Sequence, residues 1–170
     1  MPKLINSQTL TSSTTTFSFS SIPATYQDLL IVASIKTDES SFTNEQIRIR
    51  FNGLSTSIYS NTSIRGDGSG TTSSRGSSQT SGFVGLMNTN EGVLASYSST
   101  TIYIPSYLST SSKQTATFTA HEMNGTTAYT TSLANLTGLT SAITSITFTT
   151  LNTKNFVSGA SFYLYGISNT

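Results

Sequence analysis

The chain has no cysteine and no tryptophan, one histidine and three prolines. Without cysteine there is neither a disulfide scaffold nor a thiolate zinc site. His121 stands alone as an imidazole ligand, so no metal and no other cofactor is expected. Charge is equally scarce. The 8 basic and 7 acidic side chains make up 9 % of 170 residues, against roughly a quarter in ordinary soluble domains. A net charge of +1 lays down no electrostatic footprint for nucleic acid or an anionic membrane. No apolar run approaches the roughly 18 residues of a membrane span. Met1–Gln8 has no apolar run of secretory length, so no signal peptide is expected and synthesis is placed in a cytoplasm.

What the chain does have is hydroxyl. Serine and threonine account for 64 of the 170 residues. The apolar residues sit in short alternating clusters, so a folded domain is expected rather than disorder. Gln46–Phe51 alternates strictly, with Ile47, Ile49 and Phe51 on one face and Arg48 and Arg50 on the other. Asn52-Gly53 then marks a turn. Ala116, Phe118 and Ala120 alternate with Thr117, Thr119 and His121. Phe17 and Phe19, Ile102 and Ile104, and Ile146 and Phe148 give the same signal. Leu29–Ala33 is continuously apolar, as in a strand buried on both faces, and Phe162–Tyr165 is similar. The leucines at 133, 136 and 139 leave a helix or a strand open over Thr130–Leu139. Threonine is β-branched and suits a pleated surface. The fold expected is all-β: an antiparallel, jelly-roll-like β-sandwich of about 8–10 strands in a single domain over 1–170. Its threonines are expected to form the polar face. A short N-terminal arm at about 1–12 and a long Gly/Ser-rich loop at about 64–82 would lie outside the strands.

Chemistry-bearing motifs are thin. Arg65-Gly66-Asp67 is an Arg-Gly-Asp tripeptide in that loop. An adhesive module is one reading of it, and a solvated loop is the preferred one. His121-Glu122 pairs a base with an acid, but neighbours in a strand point to opposite faces. No Gly-x-Ser-x-Gly elbow accompanies the serines. Asn61, Asn124 and Asn135 open glycosylation-type triplets, but so much Ser and Thr makes that pattern uninformative. No catalytic residue is assigned, and an enzyme is not expected.

Several spaced motifs carry a resemblance. They are Phe17-x-Phe19-x-x-Ile22-Pro23-x-x-Tyr26-x-Asp28-Leu29, Ile47–Gly53, Ile102–Tyr107 and Leu164–Ile167. Together they span nearly the whole chain, and the sequence resembles bacteriophage virion structural proteins, notably those of phages of cyanobacteria. The resemblance implies a β-rich virion component. One form is a capsid decoration (cement) protein that binds the outside of the head and stabilises capsomer contacts. The other is a tail-fibre, tailspike or receptor-binding module for host surface glycans. It also implies a homo-oligomer, with a trimer favoured, whose partners are the major capsid protein or other virion proteins. Assembly contacts are expected at Pro2, Leu4 and Ile5 in the arm and at Arg65, Asp67 and Arg75 in the loop. Arg48 and Arg50 either meet acids on a partner or line a solvated sheet face.

Overall fold

A computed structural model describes residues 1–92, 95–122 and 125–168. Asn124, which opens one of the glycosylation-type triplets, lies outside them. The described chain forms β1 (Lys3–Thr9), β2 (Thr16–Phe19), β3 (Asp28–Ile35), β4 (Asn44–Phe51), β5 (Tyr59–Gly66) and β6 (Thr71–Gln79). It continues as β7 (Gly82–Asn88), β8 (Ser98–Ile104), β9 (Lys113–Glu122), β10 (Ala128–Thr137), β11 (Ile146–Thr150) and β12 (Ser161–Ile167). An eight-stranded sheet of order β1-β12-β3-β8-β9-β10-β5-β6 faces a four-stranded one of order β2-β11-β4-β7. The fold is an all-β antiparallel sandwich, as expected. The described residues form twelve strands rather than 8–10, divided eight and four between the sheets.

Two segments expected outside the strands are strands. The N-terminal arm is β1, zipped to β12 from Lys3↔Gly166 to Thr9↔Ser161. The Gly/Ser-rich loop is a hairpin: β5 and β6 pair from Asn61↔Gly76 to Gly66↔Thr71. Both β1 and β6 lie at sheet edges and are exposed along nearly their whole length. An edge strand solvated on both sides needs no apolar alternation, so the sequence pattern that reveals a half-buried strand is missing from both. The leucines at 133 and 136 belong to β10, not to a helix. In a strand, positions 133 and 136 lie on opposite faces, and Leu133 is buried while Leu136 is exposed.

One half of the interior is built as hydrocarbon. Phe162, Ile31, Leu164, Leu29, Ile102 and Ile104 from the large sheet meet Phe17, Phe19, Phe148, Ile47 and Ile49 from the small one. The Phe17 and Phe162 rings stack at 4.1 Å, and Phe156 meets Phe162 edge-on at 5.7 Å. Leu29–Ala33 is buried on one face only, and Val32 is 37 % exposed on the other. The same holds for Phe162–Tyr165, where Tyr163 and Tyr165 face outward.

The other half is inverted. On β9 the inward residues are Thr115, Thr117, Thr119 and His121, all buried, while Phe118 is 59 % exposed. β10 turns Thr131, Asn135 and Thr137 inward beside Leu133, and β5 turns Asn61 and Ser63 inward. The expectation that threonine forms the outer polar face fails here. The reason lies in the opposing strand. β7 approaches so closely that a Cβ on Gly85 would meet the Thr119 side chain at 2.5 Å. Asn135 fixes that approach, accepting from Phe83 N at 3.0 Å and donating to Phe83 O at 2.9 Å. A side chain thus stands in for the missing strand partner at the free edge of β7. Small hydroxyl side chains fit this gap, and phenylalanine would not.

Candidate functional site

The inversion leaves an apolar outer face on the large sheet. The register aligns Tyr163, Val32, Thr101, Phe118, Ser132, Ile64 and Ser73 in one row across seven strands. The next row runs through Tyr165, Leu30, Tyr103, Ala116, Ala134, Thr62 and Arg75. Phe118, Ile64, Leu136 and Tyr103 are exposed on this face. Single exposed apolar residues are ordinary, but a contiguous group on one flat sheet face is not. The first row carries no charge, and the second carries one, at its end. Asp28 lies at the margin, where it accepts from Tyr103 Oη at 2.7 Å and Ser106 N at 2.7 Å.

The large sheet also outruns the small one. β7 ends the small sheet, whereas β5 and β6 continue past it. A groove of about 500 Å³ opens between the inner side of the β5–β6 hairpin and the outer side of β4 and β7. Arg48 and Arg65 stand on its two walls. Arg48 lies over the Phe83 ring at 5.3 Å and donates to Gln46 Oε1 at 2.6 Å. Arg65 lies over the Tyr129 ring at 5.4 Å, and that ring also stacks on His121 at 5.3 Å. Among the described residues the ion pair is Lys154–Glu39 at 3.3 Å, and neither groove arginine has a carboxylate partner.

The six expected assembly residues separate. Pro2 is exposed ahead of β1, and Leu4 is exposed opposite Tyr165, at the edge of the apolar face. Ile5 packs partly against the core. Arg65 and Arg75 lie on opposite faces of the hairpin. Arg75 pairs with Thr62 on the outer side, whereas Ser74 meets Ser63 at 2.7 Å on the inner side. Asp67 caps its own turn: Oδ1 accepts from Ser69 N, Ser69 Oγ and Gly70 N at 2.8–2.9 Å. These bonds, that from Ser69 Oγ most of all, hold its carboxyl below the usual range.

His121 and Glu122 lie on opposite sides of β9, as strand geometry requires. His121 is 4 % exposed and neither ring nitrogen has a partner. Burial, with Arg65 adding repulsion, pushes its pKa down to about 4. Among the described residues no group of three or more His, Cys, Asp or Glu is placed to hold a metal ion.

Sequence reasoning missed the apolar face and the groove. Alternation of Ala-Phe-Ala with Thr-Thr-His separates two faces but does not say which is inside. Arg48 was visible as a polar-face residue, yet its sharing a groove with Arg65 depends on a long-range overhang. No family model, no curated protein and no solved structure matches the chain.

Proposed function

We propose that the protein is a non-enzymatic virion structural protein, a capsid decoration (cement) protein that packs the outer face of its large sheet against the shell. The observation that carries this reading is the outward display of Phe118, Ile64, Leu136 and Tyr103 while Thr115, Thr117 and Thr119 of β9 and Thr131 and Thr137 of β10 are buried. Burying such a face removes apolar area from water at roughly 25 cal/mol per Å². Because its central row is uncharged, docking there desolvates little charge. It suits a neutral, apolar patch on the major capsid protein, with an acidic group at the rim opposite Arg75. Weak single contacts then add up over the many equivalent sites of a shell. The spaced motifs that resemble virion structural proteins support the same context, and a closed homo-oligomer, a trimer first, fits it.

The test is attachment to expanded heads. The wild-type protein should bind and raise the temperature at which heads break. Phe118→Asp, a change at an exposed position, should leave the isolated fold intact and lose most of the binding. Equal binding by Phe118→Asp, or no gain in head stability, would overturn the reading.

A further inference from the structure

The groove beside β7 is a second surface, opening on the inner side of the β5–β6 hairpin, with Ser73 and Arg75 of the outer rows also in its lining. Three of the chain's four arginines line it, Arg48 from the small sheet and Arg65 and Arg75 from the β5–β6 hairpin of the large one. A guanidinium offers five N–H donors, and few are used here. Arg48 makes one hydrogen bond, to Gln46, and its Nε is buried without a partner. Arg65 stacks on Tyr129 and has no hydrogen-bond partner shown among the described residues. At the floor, the hydroxyl of Thr131, 2 % exposed, also lacks a partner. Native interiors satisfy nearly all buried polar atoms, so unmet donors gathered at one opening call for a cause.

The chemistry of the walls narrows the ligand. Guanidiniums with no carboxylate at ion-pair distance among the described residues favour an anion, and their planar forks suit carboxylate. Much of the remaining lining is hydroxyl and amide, including Asn61, Ser63, Ser74, Gln79 and Gln46. Such groups match a partner that itself carries many hydroxyls. Both aromatic rings near the arginines, Phe83 and Tyr129, are already covered by guanidinium. A free stacking platform for nucleobases is therefore missing from this groove. The volume, about 500 Å³, exceeds what a lone inorganic anion needs and lies within the range of ligand clefts.

We propose that this groove binds an anionic saccharide of the uronic-acid class, with its carboxylates between Arg48 and Arg65 and its hydroxyls on the amide and hydroxyl walls. The half-buried guanidiniums of Arg48 and Arg65 make the contacts. The inference does not depend on the docking reading: a protein seated by its apolar face would keep the groove open.

The test is titration of the full chain with oligogalacturonate, a neutral oligosaccharide of equal length, and sodium sulfate, followed by backbone amide shifts and calorimetry. Oligogalacturonate should bind, shifting amides of β5, β6 and β7, and added salt should weaken it. Arg65→Gln should weaken it about ten- to a hundredfold, the scale of a lost charge-assisted hydrogen-bond pair. Arg65→Lys should retain part of the affinity, and Arg50→Gln, outside the groove, should leave it unchanged. The two Arg65 variants and the wild-type shift map together keep the test sound if one variant folds poorly. Equal binding of the neutral sugar, binding of sulfate alone, shifts confined to other strands, or undiminished affinity in Arg65→Gln would each overturn the proposal. Failure of head binding with intact uronate binding would remove the docking reading only.

Discussion

The two halves of the sandwich interior solve the same packing problem in opposite ways. Where β12, β3 and β8 face β2, β11 and β4, strands bury Phe, Ile and Leu and present polar or tyrosine side chains outward. Where β9 and β10 face β7, strands bury threonine, asparagine and histidine and present Phe118 and Leu136 outward. Sequence alternation is equally strict in both. The side that goes inward is decided by the space the opposing strand leaves, and β7, with Gly82 and Gly85 against Asn135 and Thr119, leaves little. The polar half also holds the unpartnered buried atoms: Thr117, Thr119 and Thr131 hydroxyls and both His121 nitrogens. Not all of it is unsatisfied. The buried Lys113 Nζ donates to the carbonyls of Ser109, Ser111 and Leu139 at 2.7–3.2 Å.

The largest effect that separates the halves is truncation at the apolar centre. Phe162 is fully buried and touches the rings of Phe17, Phe148 and Phe156. Phe162→Ala should cost about 3–5 kcal/mol of stability, transfer plus cavity, read as a lower urea midpoint. Phe118→Ala, the same change in the inverted half, should cost under about 1 kcal/mol because that ring is already in water. A comparable loss at both positions would show that the outer face is covered in the isolated protein.

Acid should act first on the polar half. His121 has a folded pKa of about 4 against an ordinary 6.5. Its folded form binds fewer protons than the unfolded chain between these values. Stability is therefore full above pH 6.5 and falls as the pH drops toward 4, by up to about 3 kcal/mol at 1.36 kcal/mol per pKa unit. The charged groups that bear on it are Arg65 from β5, which opposes protonation, and Glu122, which favours it. Glu39, held low mainly by the Ser41 amide, adds a loss in the same direction only below its ordinary 4.5. Denaturant midpoints measured from pH 7 to 4 should fall, and His121→Phe should flatten the slope between 6.5 and 4.5. An unchanged slope in that variant would remove His121 as the cause.

The apolar half was legible in the sequence because its signal is physical at short range. Ile47, Ile49 and Phe51 alternate with arginines, and only one face can be buried. Asn52-Gly53 was legible for the same reason: both residues have positive φ, and Leu54 N closes the turn on Phe51 O at 3.0 Å. The edge strands were not legible, because β1 and β6 need no buried face. Nor was the orientation of β9, since it depends on Gly85 more than thirty residues away. The groove shares this limit. Arg48 and Arg65 were each visible, but their place in one groove depends on β5 and β6 overhanging the last strand of the other sheet.

The smallest effect has the opposite sign, and it addresses the comparison most directly. Thr117 is 1 % exposed and its hydroxyl has no partner, although Leu133 and Ile102 flank it in the register. Valine has nearly the same shape, so Thr117→Val replaces an unmet hydroxyl by a methyl group without opening a cavity. Removing an unsatisfied buried polar group is neutral or stabilising, here by about 1 kcal/mol. A higher urea midpoint with an unchanged m-value is the expected result. A loss of stability would mean that the hydroxyl is hydrogen-bonded in solution, by buried water between β9 and β7. The polar half would then be a hydrated interior rather than a dry one with unmet groups.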